Sequence, residues 1–224
     1  NIFKELVKKI FKKTDLSFQQ IITLLKECGM LQVFGRVKSR AFRVVWLLEE
    51  LEIPYVLKEV APQSEDARKV YKNGKIPFVL DNENLISDSV AILTYLSDKY
   101  KAITEPPGTI NRAKQDAMTF RILDEFDALL WVAAKHTYVF PSEKKISEIL
   151  DILKWEFARN QAKIVSEFKI DKFICGEKFL LPDILLMHCI IWAESMNFSI
   201  CNELKNYAEK LKERVAYKKT FALR

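Results

Sequence analysis

The chain has 224 residues, of which 49% are hydrophobic, and it carries a formal net charge of +6. This composition supports a sizeable core in one or two domains, and no low-complexity tract or internal repeat is present. The apolar runs are far shorter than the roughly 18 residues that cross a bilayer, and no secretory signal pattern occurs, so we expect a cytoplasmic protein without a membrane span.

The positive charge does not indicate a nucleic-acid partner. Residues 1–29 contain six lysines against three acidic residues, so half of the net charge belongs to this short segment. In the remaining chain acidic and basic residues are mixed, and no basic stripe is interleaved with aromatic residues. The modest positive bias that remains favours an anionic small molecule as a ligand.

The first 29 residues form a segment of their own. Apolar residues recur there at helical spacing and lysines occupy most of the other positions, which predicts a basic amphipathic helix. A membrane-surface role and packing against the main body are both compatible with this pattern. We expect an N-terminal extension that activity does not require. The apolar positions are Ile2, Phe3, Leu6, Val7, Ile10 and Phe11.

Residues 31–100 alternate between short strands and helices. The apolar patterns predict strands at 31–34, 55–60, 78–80 and 84–86, and helices at 41–51, 65–72 and from residue 88 onward. In the first helix Arg40, Arg43, Glu50 and Glu52 fall mostly on the side away from the apolar residues. The order of these elements is βαβαββα. A right-handed βαβ crossover followed by a hairpin and a closing helix is the thioredoxin-like arrangement.

Two short motifs in this part indicate a site that captures a peptide. Pro77 stands between a polar turn and a predicted strand, where the Ile76–Pro77 bond can adopt the cis form and turn the backbone N–H and C=O of Ile76 away from the sheet. Asp88 and Ser89 suit a helix N-terminus, where free amides and the helix dipole attract a carboxylate. An acid beside a hydroxyl also fits a zwitterion.

The second half is predicted to be all-helical. Helical spacing extends over residues 111–139, 143–167 and 181–196, and Pro141 separates the first two helices. The third is apolar nearly all round, which is typical of the centre of a bundle. If Leu180 is its N-cap, the Asp183 carboxylate can reach back to the Leu180 amide. The predicted fold class is therefore α/β plus all-α.

The cysteines and histidines do not indicate a metal site. Cys28, Cys175, Cys189 and Cys201 contain no Cys-x-x-Cys pair, so we expect free thiols rather than a zinc knuckle or a redox dithiol. His188 precedes Cys189 directly instead of lying one helical turn away, so both residues are interpreted as core.

Several of these segments together resemble a known family. Similarity covers about residues 30 to 224, and it is carried by 39–51, 74–77 and 88–89 in the first half and by 112–116, 154–160 and 176–184 in the second. The chain resembles the cytosolic glutathione transferase superfamily, in its serine-type, bacterial-like branch. The resemblance implies a thioredoxin-like glutathione-binding domain at 30–101, an all-helical domain at 109–224, and a homodimer.

Ser39 is the catalytic residue that the resemblance implies. Serine-type transferases place a hydroxyl at this loop-to-helix junction, where it donates to the sulfur of glutathione. The family pattern Ser-Arg-Ser has Ala41 at its second serine here, so the prediction rests on Ser39 alone. A tyrosine is absent from the end of the first strand, where Phe34 stands, and no cysteine lies near Ser39, which disfavours reductase chemistry. Without the resemblance, a serine before a helix is most simply an N-cap.

Glutathione is the expected co-substrate, and no metal cofactor is implied. By resemblance the backbone of Ile76, preceding Pro77, binds the cysteinyl part, and Asp88 with Ser89 binds the γ-glutamyl end. Lys75 is the first candidate for the glycyl carboxylate, with Arg36 or Arg40 as alternatives.

The second substrate is expected to be a small apolar electrophile, bound between the two domains. Aromatic content near the predicted pocket favours an apolar partner, although aromatics at helical spacing are more often core. The predicted activity is glutathione conjugation. A non-catalytic scaffold or regulatory protein with the same fold is the alternative, and isomerase or dehalogenase chemistry at the same first site also stays open. The pocket candidates are Val37, Phe120, His136, Tyr138 and Phe140.

Overall fold

A computed structural model describes residues 30–168 and 172–224. The helix and the dispensable extension predicted for residues 1–29, and Cys28 with them, lie outside the described residues. A four-stranded mixed sheet with three helices is followed by a helical part, which confirms the predicted fold class, a thioredoxin-like α/β arrangement plus an all-α part. Within the described ranges, no helix combines the length and the hydropathy that crossing a bilayer requires.

The sheet is built from four strands of four residues each. They are β1 (Leu31–Phe34), β2 (Tyr55–Lys58), β3 (Phe78–Asp81) and β4 (Asn84–Ser87), in the spatial order β2-β1-β3-β4. β1 pairs in parallel with β2 and antiparallel with β3, and β3 and β4 form an antiparallel hairpin. β1 is interior and buried along its whole length, as its apolar sequence predicted.

The two faces of the sheet bury different residues because successive side chains on a strand point to opposite sides. Val33 and Val79, which are register partners, join the main core. Phe34 and Phe78 point to the other face and stack with their ring centroids 4.6 Å apart, beside Ala67. The end of β1 is thereby anchored in a small second core.

Three helices complete this half: α1 (Ala41–Glu50), α2 (Glu65–Val70) and α3 (Ser89–Tyr100). The order βαβαββα is confirmed. α2 begins at the N-cap Ser64, whose hydroxyl accepts from the Ala67 amide at 3.2 Å. It ends two residues earlier than predicted, since Tyr71 already has extended dihedrals.

The helical half contains six α-helices within the described residues. α4 (Ile110–Ile122) and α5 (Ala128–Ala134) form one continuous helix, because π-helical turns at Leu123–Asp127 and Lys135–Val139 extend it to residue 139. The remaining four are α6 (Ile149–Glu167), α7 (Leu181–Ser195), α8 (Asn202–Lys212) and α9 (Val215–Phe221).

The predicted helix at 111–139 is confirmed, whereas the predicted start of the next helix at residue 143 is wrong. Ser142–Lys144 form a single 3₁₀ turn, and α6 begins only at Ile149. The Ile146 amide donates to Nδ1 of His136 at 3.1 Å, so a tertiary hydrogen bond holds this backbone outside the helix.

α7 is the buried centre of the bundle, as predicted, and one continuous core includes residues of both halves. α9 packs back onto α1, where Tyr217 contacts the rings of Phe42 and Trp46 at centroid distances of 5.7 and 5.1 Å. Arg214 forms two hydrogen bonds of 2.6 and 2.7 Å with the carboxylate of Glu50. These contacts attach α9 and the residue before it to α1 in the sheet-containing half.

Asp183 ties the start of α7 to its surroundings. The predicted hydrogen bond from the Leu180 amide is present at 2.8 Å, and the Ile174 amide and the Tyr207 hydroxyl donate to the same carboxyl group at 2.8 and 2.6 Å. Burial raises the pKa of Asp183 to about 6, although these three donors favour the charged form. The carboxylate therefore organises three separate segments.

Replacing Asp183 with Asn is expected to destabilise the protein by about 3 kcal/mol, because two backbone amides and a hydroxyl would face a group with less acceptor capacity and two donors of its own. Urea unfolding monitored by circular dichroism measures this loss. Asp151→Asn, at an exposed site in the first turn of α6, is the matched control and should change stability by less than about 0.5 kcal/mol. Equal stability of the two variants would contradict this role of Asp183.

Candidate functional site

The loop after β1 and the segment before β3 meet at Gly35. The Ile76–Pro77 peptide bond is cis, as predicted. Gly35 has a φ of +148°, and a Cβ placed on it would lie 3.0 Å from Cβ of Ala41 and 3.6 Å from Cα of Pro77. Only glycine permits this approach, and it brings Ile76 and Pro77 beside the start of α1.

The backbone of Ile76 has no hydrogen-bond partner among the described residues. The residue lies just before β3, whose ladder with β1 begins at the pair Phe34 and Phe78. A peptide N–H and C=O without partners are available to another peptide, because backbone groups seek pairing. This is the arrangement that the motif at residues 74–78 predicted.

Ser39 lies in the turn that leads into α1, and both functions of its hydroxyl are engaged. Oγ donates to the carbonyl oxygen of Arg36 at 2.7 Å and accepts from the amide of Ala41 at 3.2 Å. The N-cap of α1 is Arg40 rather than Ser39, and no side chain caps this helix from that position. Ser39 is therefore at the predicted place, with its proton directed to a backbone carbonyl.

Asp88 and Ser89 form the start of α3, as predicted. Oδ1 of Asp88 accepts from the amides of Val90 and Ala91 at 2.8 and 3.2 Å. Asp88 has a φ of +72° and a ψ of 126°, a conformation that L-residues rarely adopt and that is characteristic of functional sites. Ser89 is buried, and its hydroxyl accepts from Nη1 of Arg43 at 3.3 Å.

Arg43 connects this helix start to the helical half. The spacing in α1 predicted Arg43 on the solvent side, and this prediction is wrong, since Arg43 is 1% exposed. Its Nη2 donates to Oδ2 of Asp127 and lies 3.1 Å from Nδ1 of His188. A buried guanidinium requires a counter-charge, and only the packing of the two halves brings Asp127 within reach.

Asp127 is the common partner of two arginines. Arg40 forms a forked pair with it, through Nε at 3.2 Å and Nη2 at 2.5 Å. Burial by itself would raise the pKa of Asp127, but the guanidinium groups of Arg43 and Arg40 outweigh it and hold the pKa well below its usual range. Burial, reinforced by the nearby Arg43, lowers the pKa of His188, so this imidazole is neutral.

The other candidates for carboxylate binding differ in their surroundings. The side chains of Lys75 and Arg36 are exposed and have no ion-pair partner among the described residues. Arg40, by contrast, is paired with Asp127 and lies between two indole rings, those of Trp131 and Trp192.

The candidates for the second pocket have unlike environments. Val37 is buried in the main core, whereas Phe120 and Tyr138 are exposed. His136 meets Phe140 edge to face, with ring centroids 5.2 Å apart. Within residues 30–168 and 172–224, no group of three His, Cys, Asp or Glu side chains is placed to hold a metal ion.

Asp127→Asn is expected to lower the free energy of unfolding by about 3 kcal/mol at neutral pH, because Arg43 would stay buried without a counter-charge. The pKa of Asp127 is lower in the folded state than its ordinary value of 3.8. The extra stability of the wild type is therefore complete above pH 3.8 and is lost as the pH falls through the lower folded-state pKa. Urea unfolding of both proteins is measured between pH 8 and 3. The difference between their free energies of unfolding should stay constant down to about pH 4 and become smaller below that pH. A difference that narrows already between pH 8 and 5 would contradict this assignment.

Residues 38–107 match the family described as "Glutathione S-transferase, N-terminal domain". Over 72 residues the chain is 38% identical to Glutathione S-transferase 3 of Schizosaccharomyces pombe. The aligned part covers 30% of this chain and 30% of that relative, so the match spans less than a third of the relative's length.

Solved structures extend the likeness to most of the chain. The glutathione transferase URE2P6 from Phanerochaete chrysosporium, in complex with oxidized glutathione, is 20% identical with a TM-score of 0.75, covering 88% of this chain and 96% of that one. A glutathione transferase family member from Pseudomonas fluorescens, with two glutathione bound, is 20% identical with a TM-score of 0.72, covering 86% and 92%. Residues 38–107 thus form a domain of the glutathione S-transferase N-terminal type, and the described chain has the glutathione transferase fold.

Proposed function

We propose that the protein is a glutathione transferase that joins reduced glutathione to a small apolar electrophile. The observation that carries this proposal is that the backbone of Ile76, beside Gly35 and the start of α1, is unpaired within residues 30–168 and 172–224. A free N–H and C=O there suit an extended peptide that adds to the edge of the site. The match of residues 38–107 to the family and the glutathione bound by structural neighbours support the same ligand.

The two ends of glutathione have suitable partners on either side of Ile76. Oδ1 of Asp88 caps α3, which leaves Oδ2 without a partner among the described residues and free to accept from the α-ammonium group. The amide and the hydroxyl of Ser89 would receive the α-carboxylate, since the next two amides of α3 already donate to Asp88. At the other end, Lys75 and Arg36, which form no ion pair in the described part of the chain, would bind the glycyl carboxylate, whereas Arg40 is already paired with Asp127.

Ser39 is proposed to stabilise the thiolate of the bound glutathione. Its proton would turn from the Arg36 carbonyl to the sulfur, which exchanges a neutral hydrogen bond of about 1 kcal/mol for one to a charged acceptor of about 1.5–3 kcal/mol. The net gain of about 1 kcal/mol corresponds to somewhat less than one pKa unit. The N-terminus of α1 adds about 0.3–1 kcal/mol, so a total lowering of about one unit is expected.

The proposed reaction is a substitution by sulfur. The thiol proton leaves to solvent, the thiolate forms a carbon–sulfur bond with the electrophilic carbon, and the leaving group departs with the electron pair of its bond. Ser39 takes no proton and keeps donating its hydrogen bond to the sulfur until the new bond removes the negative charge. This role requires neither a metal nor a histidine.

A non-catalytic scaffold with the same fold is the second candidate, and one observation favours it. The hydroxyl of Ser39, the carboxylate of Asp88 and the hydroxyl of Ser89 all have partners within the protein, as they would in a fold that keeps these residues for structure alone. Retention on immobilised glutathione, followed by an arylation assay, separates the two candidates. An enzyme would be retained on the column and would catalyse the arylation of glutathione. A scaffold would not catalyse this reaction.

The remaining features of the proposal follow from the resemblance. We place the protein in the serine-type branch, because Ser39 stands at the loop-to-helix junction, the tyrosine that other branches use at the end of the first strand is absent, and no cysteine lies near Ser39. It would act in the cytoplasm as a homodimer, with detoxification of electrophiles as its role. Sedimentation equilibrium of the full chain tests the dimer.

Ser39→Ala is expected to leave glutathione affinity nearly unchanged and to raise the pKa of the bound thiol by somewhat less than one unit, because the charged sulfur loses a donor. The thiolate absorbance of the binary complex and the pH dependence of kcat/KM both report this pKa. Ser166→Ala is the matched control, since its hydroxyl donates to the carbonyl three residues earlier, as that of Ser39 does. An unchanged pH–rate profile in Ser39→Ala would remove Ser39 from this role.

Lys75→Met is expected to raise the KM for glutathione about tenfold with little change in kcat, because an ion pair with the glycyl carboxylate binds substrate and transition state equally. The exposed Lys72, in the same turn region, provides the control Lys72→Met. If both variants kept the wild-type KM, the glycyl carboxylate would have another partner, and Arg36→Met would be the next variant to measure.

A further inference from the structure

The guanidinium of Arg40 is held in place, but the described residues do not use all of its hydrogen-bond donors. Its Nε and Nη2 donate to Asp127, whereas Nη1, with two N–H groups, has no partner among the described residues. Nη1 of Arg40 is not buried, so it is open to solvent. The side chain of Arg40 is 26% exposed.

Two tryptophans enclose this guanidinium. Its central carbon lies 5.2 Å from the ring centroid of Trp131 on α5 and 4.8 Å from that of Trp192 on α7. Asp127 and Trp131 are four residues apart, so one helical face supplies both the carboxylate and an indole. Trp131 is 39% exposed, which leaves part of this large apolar ring uncovered beside Arg40.

The charges around Arg40 do not cancel. Asp127 is shared by Arg40 and Arg43, and His188 is neutral, so these four side chains carry a net charge of +1. Much of that charge is out of contact with water, because Arg43 is buried and, within the described ranges, its Nε has no hydrogen-bond partner. An anion that reaches Nη1 would therefore gain more than it would at an ordinary surface ion pair.

From these contacts we infer that Arg40 and Trp131 select a planar aromatic co-substrate that carries a carboxylate. The ring would stack on the exposed indole of Trp131, and the carboxylate would accept from Nη1 of Arg40. This inference rests on the proposed function, because Arg40 directly follows Ser39, so the cluster adjoins the proposed thiolate. It defines the class of electrophile that the second half of the site receives.

Binding of an unreactive pair of ligands tests the inference without any turnover. Titration calorimetry on the full chain compares 3,5-dinitrobenzoate with 1,3-dinitrobenzene, which differ only in the carboxylate. We expect the carboxylate to bind about tenfold more tightly, with the preference falling as salt is added. Equal affinities would overturn the inference.

Variants locate the binding site. Arg40→Met should abolish the preference for the carboxylate, Arg40→Lys should retain part of it, and Trp131→Ala should weaken both ligands. Trp131 is half-exposed, so its replacement keeps the test valid even if the Arg40 variants do not fold. A preference that survives in both Arg40→Met and Trp131→Ala would place the site elsewhere and overturn the inference.

The chain contains a matched control cluster on α6. Arg159 lies over the ring of Trp155 at 4.9 Å and pairs with Glu156 at 3.1 Å, so it combines the same three chemical groups at an exposed site. This cluster has one acid for one arginine and therefore no net charge. Arg159→Met and Trp155→Ala should leave both affinities unchanged.

Turnover separates this inference from the proposed function. With glutathione present, 4-chloro-3,5-dinitrobenzoate and 1-chloro-2,4-dinitrobenzene each form a carbon–sulfur bond and release chloride, and each rate is divided by its uncatalysed rate. A normalised kcat/KM about tenfold higher for the benzoate supports the inference. If neither compound reacts while the binding preference is present, the proposed function fails, and only the selection of an aromatic carboxylate by Arg40 and Trp131 stands. If both react equally and bind equally, the inference fails and the function stands.

Discussion

The carboxylate of Asp127 is the interaction on which the arrangement of the two halves depends. It faces Arg40 and Arg43 of α1 from the π-helical turn that joins α4 and α5. Buried charges are costly unless they are paired, so orientations of the two halves that separate these groups are disfavoured. Apolar packing across the interface is non-directional, whereas a forked ion pair adds geometric specificity.

The same cluster determines the surroundings of the candidate site. Arg43 reaches from Asp127 to the hydroxyl of Ser89 at the start of α3, and Arg40 directly follows Ser39. The start of α1 is thus fixed on one side by the helical half, and on the other it lies beside Gly35, whose missing side chain leaves room for Ala41 and Pro77. Pre-organisation of this kind keeps a hydroxyl and an open backbone in place without the help of the ligand.

Each polar group at the candidate site has a second structural role. Ser39 closes a turn onto Arg36, Asp88 caps α3, and Ser89 accepts from Arg43. A hydroxyl has one proton but two acceptor positions, and a carboxylate has about four, so structural and binding roles are compatible in principle. The balance between a neutral acceptor and a charged sulfur decides which partner the Ser39 proton prefers.

Local patterns in the sequence determined the order βαβαββα, the buried β1, the cis bond before Pro77 and the helix start at Asp88. These features depend on neighbours in the chain, through alternation, helical spacing and capping chemistry. Predictions from these local patterns were wrong where distant segments of the chain compete for backbone and side-chain groups. The Ile146 amide bonds to His136 instead of continuing a helix, and the solvent position predicted for Arg43 is buried instead.

Only the tertiary structure decided which residues meet Arg40. Trp131 and Trp192 lie 91 and 152 positions further along the chain, and nothing in their local sequence distinguishes them from core aromatics. A long-range ion pair has no periodicity, because its partners are selected by packing angle and burial. The sequence by itself determined that a helix start beside Ser39 would be available for binding, and the folding of two halves onto each other decided its electrostatics.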